Sequence, residues 1–181
     1  GYSYIQARNK VAALDAFKAA SEHDHDPRLT EDAFFNYAKL AFDLNDDNSV
    51  FNSYLERYSD KVKGDAIYSY MALSALYDKD YAGAIAAYDN IDELDVDMKA
   101  NYMKANYLRA EQLIAGGSWR NAVPCLRAAA YYSDRLSFFN QLSRYWLAQS
   151  YFNNGQYPLA RNLFTELYNA SALDGKPEGG L

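Results

Sequence analysis

Apolar positions along the chain fall into three columns that one set of spacings brings into line. The first column holds small residues, Gly1, Ala38, Ala72, Ala110 and Ala148, set 37, 34, 38 and 38 residues apart. Twelve places beyond each stand Ala13, Val50, Ala84, Ala122 and Ala160. Four places beyond those stand Phe17, Tyr54, Tyr88, Leu126 and Phe164, all bulky. A small residue, a turn, a second small residue and then a bulky one describe two antiparallel helices. The small side chains let the backbones approach, and the bulky one, four places on and so on the same helix face, fills the gap to the next pair. Between the two small columns a turn should supply the N-cap of each second helix, at Asn9, Asp46, Asp80, Ser118 and Gln156; all but the last are good cap formers. Gly117 and Gly155 stand just before two of these sites, where a first helix must stop. Pro158 falls in a first turn, where its missing N–H costs nothing, whereas Pro124 sits deeper and should bend its helix. The pattern predicts an all-α chain of about five helical hairpins near residues 1–27, 31–60, 65–93, 100–132 and 139–170, the first one truncated.

The hairpins resemble the tetratricopeptide repeat (TPR) family. The likeness is carried by the run from Tyr145 to Phe164, with Tyr151, Gly155, Tyr157 and Ala160 in place, and nearly as well by the run from Ala72 to Tyr88, with Tyr81 and Ala84. The second repeat is degenerate, with Val50 where the family has alanine and Asp47 where it has tyrosine. Three of the four spacings exceed the family's usual ~34 residues, so longer helices or turns are expected. The resemblance implies a right-handed α-solenoid over residues 1–170. A narrower one joins Glu31–Leu40 with Phe51–Asp60, which are similar to large TPR proteins of Gram-negative cell envelopes, themselves similar to outer-membrane assembly lipoproteins. Ser59 stands where those proteins carry proline. That likeness implies a periplasmic or cell-envelope protein.

On such a scaffold the first helices of successive repeats line a concave groove. The resemblance places Phe35, Lys39 and Phe42 there from the second repeat, with Asp32 beside them, and Ser69, Leu73 and Tyr77 from the third. The fourth gives Lys104, Tyr107 and Glu111, and the fifth Tyr145, Gln149 and Phe152, with Leu142. Phe35, Tyr107 and Tyr145 are equivalent, a row of rings interrupted by Ser69. Exposed rings anchor protein interfaces because they bury much area at small entropic cost. The family's carboxylate-clamp positions read Phe35, Lys39, Tyr70, Ala66 and Leu108, with only Lys39 and neighbouring Asn36 polar, so capture of a partner's C-terminus by that clamp is not expected.

Composition narrows the function. At 181 residues, half of them hydrophobic and 23% charged, the chain suits one compact domain or one continuous repeat array. A net charge of −6 without a basic stripe argues against nucleic-acid binding. Apolar runs break before the ~20 residues of a membrane helix, so no membrane insertion is expected, and the start has no signal-peptide pattern. Cys125 is alone, which excludes an internal disulfide and suits a small buried hydrophobe. The run Glu22, His23, Asp24, His25, Asp26 lies in a turn before Pro27, where alternate spacing fixes no ligand geometry; no metal or cofactor is expected. Asp46, Asp47, Asp95 and Asp97 read as cap and loop residues, and Gly116-Gly117 lacks the lysine and hydroxyl of a phosphate loop. No nucleophile–base pair can be named, so catalysis is not expected.

The ends carry expectations too. The chain reads as starting inside a helix at Gly1, Phe164 and Leu167 face outward, and Ser171–Leu181, with Gly175, Pro177, Gly179 and Gly180, reads as a linker. Together these suggest a piece of a longer array whose open ends favour contacts between copies. The function expected is a non-catalytic scaffold that holds a protein or peptide segment of a partner in the aromatic groove. The alternatives are a glycan-binding module using rings beside Gln149 and Asn153, and a structural spacer or self-associating element.

Overall fold

The computed structural model describes residues 1–23 and 26–174, with side chains through 170. The chain divides into two compact units. The first, Gly1–Met71, holds α1 (Tyr2–Gln6), α2 (Lys10–Ser21), α3 (Pro27–Asn45), α4 (Ser49–Arg57) and the first turns of α5 (Lys61–Tyr77). The second runs from Ala72 onward. It holds the rest of α5 with α6 (Tyr81–Tyr88), α7 (Val96–Ala115), α8 (Trp119–Tyr132), α9 (Phe138–Asn153) and α10 (Tyr157–Asp174). No strand occurs among the described residues. Sequence neighbours pack together: α1 with α2, α2 with α3 and α3 with α4 in the first unit, and α6 through α10 in succession in the second. Both tryptophans, Trp119 and Trp146, lie in the second unit.

The column residues form the buried seam of this packing. Ala13, Ala38, Ala72, Ala84, Ala110, Ala122 and Ala148 are fully buried, Ala160 is nearly so, and Val50 is buried. A Cβ added at Gly1 would run into the Phe17 ring, so glycine there serves the same close approach. The bulky column follows: Phe17, Tyr54, Tyr88 and Leu126 are buried, while Phe164 stays half-exposed on α10. In the first unit Phe51, Tyr54 and Ile67 close a core with Ala38, Ala41 and Val50. In the second, Leu126 of α8 and Leu147 of α9 meet over Ala110 and Ala122. Cys125 lies half-buried beside this cluster, and burial raises its thiol pKa.

The long spacings have two sources: longer second helices, α2 with 12 residues and α8 with 14 against 9 in α4, and the long first helix α7. α3, α5, α7 and α9 have 19, 17, 20 and 16 residues, and α3, α5 and α7 each begin four residues earlier than the pattern predicts. Asp26 caps α3 by accepting from the Arg28 amide at 3.0 Å, and Asp95 caps α7 by accepting from Met98 at 2.8 Å.

Turns between paired helices share one device. Arg8, Lys79, Gly117 and Gly155 all lie in the left-handed region, at φ 56°, 63°, 73° and 74°, and each stands seven places after its small-column residue. The next residue opens the second helix. Asn9 accepts from the Ala12 amide at 3.1 Å and Asp80 from that of Gly83 at 3.0 Å, while Ser118 holds the position without a side-chain bond. The second repeat departs from the expectation. Asp46 is not an N-cap but the left-handed C-cap of α3, at φ 54°. Its left-handed residue comes one place late and its cap position two, at Asn48, while the Asp47 carboxylate accepts from the Ser49 amide at 2.9 Å.

A left-handed backbone costs a residue with a Cβ on the order of 1 kcal/mol, part of which glycine returns through its looser unfolded state. Lys79→Gly should therefore raise stability by roughly 0.5 kcal/mol. Gly117→Ala, whose added methyl would meet nothing within 4 Å, should lower it by about 1 kcal/mol through backbone strain alone. Urea titrations of the two variants check both signs; a Lys79→Gly loss would mean that the lysine side chain outweighs its strain.

The tail expected from Ser171 is helical at its start, since α10 runs to Asp174. Residues 175–181 lie outside the described residues, as do Asp24 and His25 of the acidic histidine run.

Candidate functional site

The residues expected to line a groove divide between the units. In the first, Phe35 is half-buried beside the Tyr54 ring, with centroids 5.7 Å apart. Two ammonium groups stand over Phe35. Lys39 Nζ lies 5.6 Å from its centroid and 5.4 Å from that of Tyr70, and Lys63 Nζ lies 5.9 Å from it. Lys63 also sits 3.8 Å from a Glu31 oxygen and 3.9 Å from one of Asp32. Ring, cations and carboxylates satisfy one another here, which corrects the expectation of a free aromatic anchor at Phe35. Phe42 packs on Phe51 at 5.2 Å and on Tyr70 at 6.3 Å, so it too is core in part. Ser69 is half-buried. Lys63 was not singled out from sequence, and no local signal marks it, because its partners lie some thirty residues earlier.

Below this network the Tyr54 hydroxyl donates to Glu31 at 2.6 Å, and the Tyr2 hydroxyl donates to Asp32 at 2.5 Å. Burial first, then the Glu31 carboxylate, pushes the Tyr54 pKa far above its ordinary value. The Asp32 bond, then burial, raises that of Tyr2.

In the second unit Leu73 and Tyr77 on α5 and Lys104 and Glu111 on α7 are exposed. Tyr107 is not: only 6% of it is accessible, and its ring meets Phe139 of α9 edge-on at 5.9 Å. Burial and then the Glu111 carboxylate push its hydroxyl pKa up to about 12. Tyr107 is therefore a packing residue between hairpins, a correction to its place in the expected row of rings.

Tyr145, its equivalent on α9, remains 45% exposed above Trp146 at 5.5 Å and Phe164 at 5.8 Å. It belongs to a stripe the sequence reading did not assemble. Phe138, Tyr145 and Phe152 recur every seven residues, which places them on one face of α9, and all three are exposed. On α10, Tyr157 meets Phe152 at 5.4 Å, and Phe164, Leu167 and Tyr168 continue the apolar surface. Two open cavities of about 360 and 470 Å³ lie along it. The first is lined by Phe138, Leu142, Tyr145, Leu167 and Tyr168, the second by Phe152, Tyr157 and Phe164 with their neighbours. The heptad spacing was legible in the sequence. Gln149 is half-buried, and the Asn153 amide donates at 2.9 Å to the Gln149 backbone carbonyl, so the Asn153 side chain is engaged within its own helix rather than held out for a sugar.

Another concavity, about 550 Å³, is walled by Tyr88, Tyr102 and Tyr132 with Asp89, Asp92 and Glu93. Tyr102 donates to Asp89 at 2.6 Å, and burial with this bond pushes its pKa up to about 12. Among the described residues no group of three or more His, Cys, Asp or Glu is placed to hold a metal ion, and no helix is long and apolar enough to cross a membrane. Comparison with protein-family models, with curated proteins and with solved structures gives no match.

Proposed function

We propose that the chain is a non-catalytic protein-interaction scaffold of the tetratricopeptide kind, a right-handed solenoid, and that it docks an amphipathic helix of a partner protein on the outer face of α9 and α10. The observation that carries this reading is the pair Tyr107 and Tyr145. They occupy equivalent positions; the first is buried by Phe139 of the helix that packs on α7 and α8, and the second is left with its ring half-exposed. The α9–α10 face thus repeats a surface that already accepts a helix elsewhere in the same unit. An incoming helix with bulky apolar residues at i, i+3 and i+7 would cover Phe138, Tyr145 and Phe152 as α9 covers Tyr107. The cell-envelope likeness of Glu31–Leu40 makes an envelope or periplasmic partner the first to try.

Helical peptides selected from a randomised amphipathic library against the intact chain test this directly. The double variant Tyr145→Ala/Phe152→Ala should lose at least about tenfold in affinity, roughly 1.4 kcal/mol, with helicity unchanged. Recovery of no helix, or equal binding by the double variant, would falsify the proposal. Concentration-dependent dimerisation that the same two changes abolish would overturn the separate partner in favour of a second copy.

A further inference from the structure

We propose that the cavity between the C-terminal end of α8 and the facing sides of α9 and α10 binds a phosphate monoester. The chain is acidic, yet three of its nine arginines, Arg127, Arg135 and Arg144, line this one concavity of about 510 Å³. Arg144 is already matched, since its guanidinium donates to the Glu166 carboxylate. Arg127 and Arg135 are exposed and form no ion pair among the described residues. Two unmatched guanidinium groups balance a dianion. A phosphate monoester carries about −1.5 to −2 charges at neutral pH, whereas a carboxylate carries one, and planar guanidinium groups suit its oxygens in paired hydrogen bonds.

A second observation comes from the cavity wall. Asn140 is only 5% exposed, and its Nδ2 donates to the Ala130 carbonyl at 2.7 Å and to Ser133 Oγ at 3.1 Å. Those acceptors fix which way the amide points. Its Oδ1 is thereby turned away from them, buried and with no donor. A buried acceptor left without a donor costs about 1–3 kcal/mol. That oxygen is closed off from solvent, so it is a cost carried by the wall and not a group the ligand reaches; the exposed Arg127 and Arg135 guanidinium groups take the charge. Leu147 and Leu163 supply an apolar wall for a carbon framework carried on the phosphate. Esters bring that framework and inorganic phosphate does not. The inference is independent of the helix-docking face and stands whether or not that face is occupied.

Calorimetry on the intact chain tests it with four probes at neutral pH and low salt: N-acetyl-phosphoserine N-methylamide, glycerol phosphate, inorganic phosphate and N-acetyl-alanine. At least one ester should bind with a dissociation constant below about 1 mM and more tightly than inorganic phosphate. Arg127→Gln/Arg135→Gln, two changes at exposed positions that leave helicity intact, should weaken it at least about tenfold. Preference for the capped phosphoserine would support the site and assign it to a phosphorylated side chain of a protein. Preference for glycerol phosphate would support it as a site for a small phosphorylated metabolite. Binding of neither ester, equal binding of N-acetyl-alanine, or full binding by the double variant would overturn the proposal.

Discussion

Replacing Tyr54 by alanine is expected to cost the first unit about 3–5 kcal/mol, in the range set by removal of a buried aromatic side chain. Tyr54 is fully buried at the centre of a ring cluster, with Tyr58 at 5.0 Å, Phe35 at 5.7 Å and Phe34 at 6.2 Å. None of these neighbours can collapse into the vacated space without leaving its own partners. Against a typical domain stability of 5–15 kcal/mol, such a loss is a large fraction of the whole. Tyr54→Phe separates packing from polarity. It keeps the ring and deletes the hydroxyl that donates to Glu31, while Lys63 stays near that carboxylate, so the loss should be about 1 kcal/mol. Urea unfolding followed by far-UV circular dichroism measures both. A phenylalanine variant as damaged as the alanine one would show that the hydrogen bond, not the ring, holds this core.

Pro124→Ala should act in the opposite direction, raising the stability of the second unit by roughly 1–3 kcal/mol. Pro124 is the sixth residue of α8, is exposed, and supplies no N–H to the Arg120 carbonyl four residues before it. A proline at an interior helix position costs about 3 kcal/mol relative to alanine, through the lost bond and the ring's clash with that carbonyl. The lower end of the range allows for packing that has adapted, since α8 is held by α7 on one side and α9 on the other. Thermal melts and urea titrations check it. A loss of stability would mean that a bend at Pro124 is what lets Leu126 reach Leu147, and helix propensity would then be the smaller effect.

The sequence made the seam of the fold legible because close approach of backbones admits few residue types. At the two small columns only glycine, alanine or valine stands, and every alanine there is buried. Turn chemistry was legible where glycine or a short polar cap announced it, at Gly117, Gly155, Asn9 and Asp80. It failed in the second repeat, where Asp46 looks like a cap but adopts the left-handed turn; a delay of one or two places leaves residue types unchanged and moves every role. The candidate site was less legible for a related reason. Tyr107 and Tyr145 share residue type, register and flanking helix pattern, and differ only in what packs across them, which no local spacing records. The arginine cavity is hidden the same way. Arg127, Arg135 and Arg144 lie on three separate segments, and nothing in their spacing predicts that one buried asparagine would sit among them.

The placement of the tryptophans gives the chain a built-in optical division. Indole emission excited at the red edge of the absorption band comes wholly from the unit that begins at Ala72, because the first unit contains tyrosine and phenylalanine alone. Emission is therefore silent about Tyr54 and its neighbours, while circular dichroism sums both units. Agreement of the two signals through a denaturant titration would mean that the units unfold as one cooperative block. Separate midpoints would resolve the folding free energy of each unit without dissecting the chain.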